Sequence, residues 1–521
     1  MTCRYSLLNE PLIRTRLAAD GSPARYTLPG LFVALAGDTI RDFPALRPHQ
    51  RHPWHAFLVQ LAAMALHKAG QSQPFASEAD WKAALLALTP DYPDGEAWCL
   101  IAPHNKPAFM QAPVPDGNIS EWGNTTPTST PDLLDILVTS KNHDLKQERI
   151  RTAYPDDWLF ALISLQTAAP FPGRGNYGVA RMNGGSSSRP GLGIDPPGGP
   201  GRRWWRDVRI ALAERITMAD DFGYAAEEGV SLLWLAPWDG KSAYSFTALD
   251  PFFIEISRRI RLVADDELIK ALRTTSTGPR IAKEESKSRK GNTGDLWTPI
   301  EIAAGKSLGV SGTGFHYKRM VELLFGPNYK KPPAQIIAQG DDTEGLTVIA
   351  RAIAGGQSTT DGYHERRIPI SPKVRQRLMV RDTDELAATA TQRVQDIAKM
   401  RGLLWTATAT LFDNGAAKDK FSDSAKDKAN IFSKPFEQAE DARFFDELNA
   451  EIESDDPDKV RLGWHLSMAE RAETVLRNAF HAGPRSSEQR YRARAAALSR
   501  FHGGLRSGNV LPSLTQHYRE Q

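Results

Sequence analysis

The residues best suited to binding chemistry lie in one glycine-rich segment, Phe171 to Gly193, with the sequence FPGRGNYGVARMNGGSSSRPGLG. It carries Arg174, Arg181 and Arg189 and no acidic residue. Arginine presents a planar fork of donors that suits phosphate oxygens and base edges, and glycine lets a backbone approach a ligand closely. With few apolar side chains to bury, the segment is predicted to be a surface loop, fixed at its ends, that meets a nucleic acid. The alternative is a surface loop without a ligand.

The segment also contains a G-x-G-x-x-G pattern at Gly173, Gly175 and Gly178. A dinucleotide site needs a strand before this pattern and a helix after it. Here the preceding residues, Asp156 to Thr167, predict a helix, and more glycine, serine and proline follow. The pattern therefore does not indicate a dinucleotide-binding fold.

Two single side chains elsewhere could also reach a nucleic acid. Lys306 lies in Gly305-Lys306-Ser307, which is similar to the end of a phosphate-binding P-loop. That motif needs a glycine where Ile300 stands, which excludes an NTPase and leaves Lys306 as a single cation. Gln357 lies at the predicted tip of a hairpin, beside two glycines, and its amide both donates and accepts hydrogen bonds. The alternative for Gln357 is an ordinary hairpin tip.

Further donors occur in two polar stretches. Lys141, Asn142 and His143 could meet phosphates or base edges, and a solvated loop is the alternative. Arginines surround Trp204 and Trp205, which suits stacking on nucleic acid or a basic protein interface. Core tryptophans beside a solvated basic turn are an equally good interpretation.

The sequence predicts neither a metal site nor a cofactor. His49, His52 and His55 are spaced as H-x-x-H-x-x-H, but prolines interrupt the segment, so one helix face does not present all three. Cys3 and Cys99 are the two cysteines, which excludes a disulfide framework and a cysteine zinc cluster.

Composition indicates a soluble globular protein. The chain has 521 residues, of which 41% are hydrophobic and 24% charged, and its net charge is +3. Any nucleic-acid surface must therefore come from local clusters of lysine and arginine. No apolar run approaches the roughly 20 residues of a membrane span, and the N-terminus lacks the features of a signal peptide. A cytoplasmic protein without membrane contact is expected.

Several elements are predicted for the first 380 residues. Residues up to about 35 are expected to form short strands and turns. Helices are predicted over Pro53 to Lys68 and over Ala76 to Leu88, the second capped by Ser77. Pro251 to Val263 predicts a strand, and the charged run Lys283 to Lys290 predicts a mobile loop.

From Asp384 the sequence becomes helical. Four amphipathic segments are bounded by proline, glycine or aspartate: Asp384 to Phe412, Pro435 to Ile452, Asp458 to Phe480 and Ser487 to His502. A lysine-rich linker is expected after the first. The predicted class is therefore α+β, with a large mixed α/β domain over residues 1–380 and a C-terminal four-helix bundle over residues 381–521.

Taken in order, several short patches resemble one known family. They are LLNEP near the N-terminus, PAFMQ at Pro107 to Gln111, the glycine loop after its helix, LWTPIEI before Lys306, and GGQS to ERR at Gly355 to Arg367. In this order and spacing the chain resembles the large subunit of the type I-E CRISPR Cascade surveillance complex, the CasA family. The resemblance extends over nearly the whole chain.

The resemblance implies a non-enzymatic subunit that reads the protospacer-adjacent motif from the minor groove of duplex DNA. It places the glycine loop on Gly173, Arg174, Gly175 and Asn176, the lysine finger on Lys306 and the glutamine wedge on Gln357. The minor groove discriminates poorly among bases, so a reader there tolerates several motifs. A wedge at a base step helps to open the duplex.

The resemblance also implies partners. Residues 138–144, with Lys141, Asn142 and His143, would anchor the subunit to the 5′ end of the guide RNA and to neighbouring subunits. The implied partners are the double-stranded DNA target, the guide RNA with the backbone, small and 5′-end subunits, and a helicase-nuclease. Two departures stand out: this chain lacks the cysteine zinc cluster of some relatives, and its glycine loop contains Arg174 and Asn176.

Two other functions compete with this interpretation. A metal-dependent nucleic-acid-processing enzyme, such as a nuclease, needs clustered carboxylates or histidines. The acidic group Asp341-Asp342-Glu344 precedes a predicted strand. The second acidic group, Asp455-Asp456, begins a predicted helix, where acidic residues are favoured in any case. A purely structural scaffold is the second alternative.

Overall fold

The computed structural model describes residues 2–120, 122, 127–135, 150, 152–171, 173–184, 189–266, 268–337, 340–341, 344–355, 360–416 and 420–520. The chain divides into two compact units. Unit 1 comprises Met1–Phe315 and Asn328–Arg367, and unit 2 comprises His316–Pro327 and Ile368–Gln521. The predicted boundary at residue 380 lies within unit 2, and the division of the chain into separately folding domains stays a prediction.

Short strands in small sheets, together with helices, build unit 1. The strands are β1 Arg4–Ser6, β2 Ile13–Leu17, β3 Pro23–Tyr26, β4 Ile40–Asp42, β5 Cys99–Ile101, β6 Gly191–Asp195, β7 Val230–Leu232, β8 Leu249–Ile254, β9 Arg259–Asp265, β10 Leu268–Thr274, β11 Ile300–Glu301, β12 Lys306–Ser307, β13 Tyr329–Lys330, β14 Thr347–Gly355 and β15 Thr360–Pro369, whose last two residues belong to unit 2. The sheets have the orders β1-β5, β3-β2-β4, β7-β8, β10-β9, β12-β11-β13 and β15-β14-β6. The helices are α1 Leu28–Ala36, α2 Arg51–Lys68, α3 Glu78–Ala87, α4 Pro155–Ala168, α5 Pro200–Phe222 and α6 Lys283–Arg289.

Helix α2 lies at the centre of the core of unit 1. It contacts α3, α4, α5 and β8, and most of its residues are buried. Its sequence is apolar on nearly all sides, which is typical of an internal helix. Gln60 is buried within it and donates hydrogen bonds to the carbonyls of Phe252 and Phe253 at 3.2 and 3.1 Å. The predicted helix over Pro53 to Lys68 is confirmed.

Three local predictions in unit 1 are wrong. Residues 28–36 form α1 rather than strands and turns, because the Thr27 hydroxyl caps the helix by accepting from the Gly30 amide at 3.0 Å. The predicted strand over Pro251 to Val263 is two strands, β8 and β9. Residues 283–289 form α6 and not a loop.

Unit 2 is helical, and the mixed α/β class with a C-terminal helical bundle is confirmed. Its helices are α7 Tyr317–Phe325, α8 Pro372–Met379, α9 Asp384–Phe412, α10 Asp423–Glu453, α11 Pro457–Ala479, α12 Ser487–Arg506 and α13 Pro512–Glu520. Helix α9 contacts α10, α11 and α12. The predicted bounds of α9 agree with the structure.

The predicted lysine-rich linker is largely wrong, because α10 begins at Asp423 and contains Pro435 in its interior. The Ser422 side chain caps the helix by accepting from the Ala425 amide at 3.3 Å. Ala425, Ala429 and Phe436 are buried at helical spacing. Their packing offsets the cost of an interior proline, about 3 kcal/mol.

A buried carboxylate joins three helices of unit 2. Glu451 of α10 accepts from Arg393 of α9 at 2.6 Å and from Arg461 of α11 at 2.8 Å, and both Glu451 and Arg393 are 1% exposed. Glu451→Gln would leave a buried guanidinium without its nearest carboxylate. We expect a loss of about 3–5 kcal/mol in the free energy of unfolding of unit 2, measured by urea denaturation followed by circular dichroism.

Asp446→Asn is the control for this prediction, because Asp446 is exposed on the same helix. It should leave the denaturation midpoint almost unchanged. Equal midpoints for Glu451→Gln and the unaltered chain would contradict a stabilising role for the buried cluster.

Candidate nucleic-acid interface

A buried arginine holds the backbone on both sides of residues 173–176, the glycine turn. The loop follows α4, and Arg258 donates to the carbonyl of Pro170 at 2.7 Å and to the carbonyl of Tyr177. Burial lowers the pKa of Arg258 to about 10, so its side chain stays charged at neutral pH. The Val179 amide also donates to the Ala169 carbonyl at 3.3 Å. The predicted helix before the loop is confirmed as α4.

Between these anchors, residues 173–176 form a tight turn. The Asn176 amide donates to the Gly173 carbonyl at 3.1 Å, and the Ser276 amide donates to the Gly175 carbonyl at 3.0 Å. Gly175 has φ +85°, and a Cβ there would lie 2.7 Å from Cβ of Thr275. A Cβ at Gly173 would have no described atom within 4 Å. Gly175 is therefore required for packing, whereas Gly173 presents bare backbone on an open face.

Gly175→Ala should loosen the turn, because the substitution forces a side chain into both a positive φ and an occupied space. We expect faster hydrogen exchange at the Ser276 amide, measured by mass spectrometry of peptides that cover it. Gly184→Ala is the matched control, since Gly184 has φ +73° but no described atom within 4 Å of an added Cβ. Equal exchange in the two variants would contradict a packing role for Gly175.

The three arginines of the glycine-rich segment differ in burial. Arg174 is exposed, and Asn176 is half-buried. Arg181 is buried and lies 3.3 Å from Glu255, and buried Arg189 pairs with Asp295. The prediction that all three arginines lie on a surface loop is wrong for Arg181 and Arg189, which hold the loop to the core.

Arg174 lines an open cleft, about 670 Å³ in volume, together with three lysines. Lys283 and Lys287 are one helical turn apart on α6, and Lys290 follows its end. All three lysines are exposed, and no described carboxylate lies within ion-pair distance of them. Buried Glu255 and Arg280 also line the cleft. Apolar side chains contribute as well: Phe171, Val179, Met182, Ile256 and Ile281. The cleft thus combines exposed cations with a mixed apolar and polar lining.

Lys306 lies on a hairpin attached to the end of α6. Strand β12 pairs with β11, and Nζ of Lys306 is 3.1 Å from a carboxylate oxygen of Glu301. The amide of Ser307 donates to the Lys290 carbonyl at 3.0 Å. A Cβ at Gly291 would lie 2.3 Å from Oγ of Ser307 and 2.6 Å from the backbone of Met182. The β11–β12 hairpin, the end of α6 and the glycine-rich segment are therefore in contact around Gly291.

Four of the predicted site residues lie outside the described residues. Gln357 falls in residues 356–359, which connect β14 and β15, and the two strands of that predicted hairpin are confirmed. Lys141, Asn142 and His143 also fall outside the described part of the chain. The structure describes the other five, with Gly173, Arg174, Gly175 and Asn176 in one turn and Lys306 on the β11–β12 hairpin, and the DNA-binding role of all these residues stays a prediction.

The lysines of α6 were missed as site residues. Their sequence, KEESKSRK, is short and highly charged, which favours a loop. A usable signal was present: Glu284 and Glu285 lie in the first turn and Lys287 and Arg289 in the last, as the helix dipole favours. Glu285 also accepts from the Phe246 amide at 2.9 Å, a contact that sequence spacing does not reveal.

The histidine cluster has structural roles. His55 lies 2.8 Å from a carboxylate oxygen of Asp207, and His52 is buried against Trp297. Burial lowers the pKa of both histidines. Among the described residues, no group of three or more His, Cys, Asp or Glu side chains is arranged to hold a metal ion. None of the described helices is long and apolar enough to cross a membrane.

The basic and aromatic segment after the loop is the start of α5. Trp204 and Arg206 are buried, and Arg206 donates to Asp341 at 2.9 Å. Trp205 is half-buried, and Arg202 and Arg209 are exposed. The interpretation of core tryptophans holds for Trp204, but the basic turn is a helix.

Comparison with known proteins identifies the fold. No protein-family model matches the chain, and no curated protein matches it by sequence. Among solved structures, the CRISPR-associated protein Cse1 from Acidimicrobium ferrooxidans aligns with a TM-score of 0.65 at 14% identity, covering 99% of both chains. CasA from Thermus thermophilus aligns with a TM-score of 0.62 at 15% identity, covering 97% of this chain and 100% of its own.

A structure of a CRISPR RNA-guided surveillance complex also contains a similar chain. It aligns with a TM-score of 0.53 at 12% identity and covers 95% of this chain and 99% of its own. These alignments span both units and nearly the full length of each relative. The resemblance predicted from the sequence is confirmed at the level of structure: the chain has the fold of the Cse1 (CasA) proteins.

Proposed function

We propose that this chain is the non-catalytic large subunit of a type I-E CRISPR surveillance complex and that its cleft contacts duplex DNA beside the adjacent motif. The observation that carries the proposal is that exposed Arg174, which follows Gly173 in the glycine turn, and the α6 lysines line one cleft. Bare backbone fits a narrow groove, and lysines bind the flanking phosphates. The CasA fold supports this assignment.

In this proposal, Gly173, Arg174 and Asn176 approach the minor groove, and Lys306 adds a cation at its edge. Gln357 enters the base stack and opens the duplex, after which pairing with the guide RNA reads the sequence. The test is a binding screen of the reconstituted complex against targets with randomised motifs. Strong selection at the positions beside the guide-matched sequence is expected, and uniform binding to every motif would refute motif reading.

We also propose the partners that the resemblance implied. Lys141, Asn142 and His143 anchor the subunit to the 5′ end of the guide RNA and to the backbone, small and 5′-end subunits. The subunit recruits a helicase-nuclease after the duplex opens and acts in the cytoplasm. Assembly of the complex with Lys141→Ala/His143→Ala tests the anchoring role, and unchanged assembly would refute it.

Gln357→Ala should abolish tight binding to linear targets and leave partial binding to negatively supercoiled targets. Negative supercoiling lowers the cost of opening the duplex and so replaces part of the wedge. Filter binding with the same target in linear and supercoiled form measures the difference. Equal loss on both forms would show that Gln357 acts in some other way than by opening the duplex.

The alternative of a metal-dependent nucleic-acid-processing enzyme makes an opposite prediction. Incubation of the purified chain with Mg²⁺ or Mn²⁺ and DNA would give cleavage that persists through further purification. The proposed function predicts intact DNA in this assay.

A further inference from the structure

A second pocket in unit 1 is rich in arginine. Its volume is about 480 Å³, and it shares no lining residue with the cleft described above. Strand β2, the start of α2, the start of α5 and strands β14 and β15 contribute to its lining. Six arginines line it: Arg16, Arg41, Arg51, Arg203, Arg351 and Arg367.

The carboxylates near this pocket do not balance its arginines. Asp42 forms ion pairs with two of them, Arg16 at 2.7 Å and Arg41 at 3.8 Å. Glu365 also forms ion pairs with two arginines, Arg351 at 3.2 Å and Arg51 at 3.8 Å.

Asp195 pairs with Arg367 at 2.6 Å. In the described part of the chain, the carboxylate within ion-pair distance of Arg203 is that of Asp207, at 4.0 Å. Asp207 already accepts from Arg206 at 3.1 Å and from Trp297 at 2.8 Å. The pocket therefore carries an excess of positive charge.

Two of the six arginines, Arg203 and Arg351, are buried, and Arg203 has the more distant carboxylate partner of the two. It is 5% exposed, and its Nε has no hydrogen-bond partner among the described residues. Burial lowers the pKa of Arg203, and the nearby charge of Arg351 lowers it further. A buried guanidinium without a full partner destabilises a fold. Its presence in the wall of an open pocket indicates that a ligand supplies the missing acceptor.

The remaining lining suits an anion with an attached organic group. Gly199 and Pro200, at the N-terminal end of the 23-residue helix α5, also line the pocket. Asp38 already accepts from the Gly199 amide at 3.1 Å and from the Arg202 amide at 3.3 Å at that end, so the positive charge of the pocket comes from its arginines. Leu58 and Trp204 add apolar surface beside the guanidinium groups.

We propose that this pocket binds a phosphate-type oxyanion, either a free polyphosphate or a phosphate of a nucleic-acid backbone, with Arg203 as its buried donor. Guanidinium groups match phosphate oxygens in geometry and charge. Phosphate would satisfy Arg203 and offset the excess positive charge. The proposal does not depend on the function proposed for the first cleft.

Calorimetric titration of the full chain with inorganic pyrophosphate, in phosphate-free buffer, tests the proposal. We expect binding of one pyrophosphate per chain and a loss of affinity of about tenfold or more in Arg203→Met, as expected for a hydrogen bond to a charged group. Arg41→Ser, at an exposed rim position, should weaken binding less and keep the fold. Arg202→Ser is the matched control, because Arg202 is exposed, pairs with Asp38 at 3.4 Å and does not line the pocket.

Thermal melting of the free variants separates a ligand-binding role from a structural one. Asp207 keeps His55, Arg206 and Trp297 as partners in Arg203→Met, so the proposal predicts an equal or higher Tm without pyrophosphate. A lower Tm together with unchanged affinity in Arg203→Met and Arg41→Ser would overturn it. The proposal would also be overturned if the unaltered chain bound neither pyrophosphate nor an RNA oligonucleotide.

Competition identifies the source of the phosphate. A single-stranded RNA oligonucleotide that displaces pyrophosphate from the unaltered chain, but does not bind Arg203→Met, supports a backbone phosphate. Pyrophosphate binding that the oligonucleotide leaves unchanged supports a free polyphosphate. Oligonucleotide binding that is equally strong in Arg203→Met, with no binding of pyrophosphate, would place RNA elsewhere and overturn the proposal.

Discussion

Gly173→Asp is expected to weaken binding of the assembled complex to its linear DNA target by at least about a hundredfold, because like charges facing each other across an interface cost several kcal/mol. The open side of Gly173 is where the proposed groove contact occurs, and a carboxylate there would face phosphates. Electrophoretic mobility-shift titration over a wide range of complex concentrations measures the loss. Assembly of the complex should be unaffected.

Gly70→Asp is the matched control for this substitution. Gly70 also has a positive φ, +64°, and no described atom within 4 Å of an added Cβ, and it lies outside the glycine-rich segment. It should bind the target as the unaltered complex does. If the two variants bound DNA equally well, the turn at Gly173 would not be at the DNA.

Lys283→Ala/Lys287→Ala should reduce the dependence of DNA affinity on salt. Each lysine that contacts a phosphate releases counterions, so losing two lowers the slope of log K against log salt by about 1.8. The weakening should be the same for every motif sequence, because phosphate contacts carry no base information. Binding isotherms at several salt concentrations, with two different motifs, measure both quantities.

Lys68→Ala/Lys82→Ala removes the same charge from unit 1 outside the cleft. This control should keep the slope of the unaltered complex. A slope that changes equally in both double variants would mean that general charge, and not the α6 lysines, sets the salt dependence.

Elements whose signals are local could be predicted from the sequence. The bounds of α9 follow from helical periodicity over Asp384–Phe412, and Ser77 caps α3 by accepting from the Asp80 amide at 3.1 Å. The helix before the glycine segment, α4, follows from its local apolar pattern in the same way. In each case residues within a few positions of one another carry the information.

The remaining features depend on contacts between distant residues. Arg181 and Arg189 have the composition of surface cations, but Glu255 and Asp295, far along the chain, bury them in ion pairs. Pro435 would end most helices, and the packing of α10 against α9 and α11 overrides it. The same applies to Gly175, whose need for glycine comes from Thr275, which is distant in sequence.

The most direct test of the proposed interface is site-specific cross-linking from position 174. Cys3 is exposed and Cys99 is buried, so Cys3→Ser/Arg174→Cys gives one reactive thiol for a photoreactive group. In the assembled complex on its target, cross-links to the DNA at the adjacent motif are predicted. Cross-links only to distant DNA, or none while a target-bound complex is present, would contradict the account.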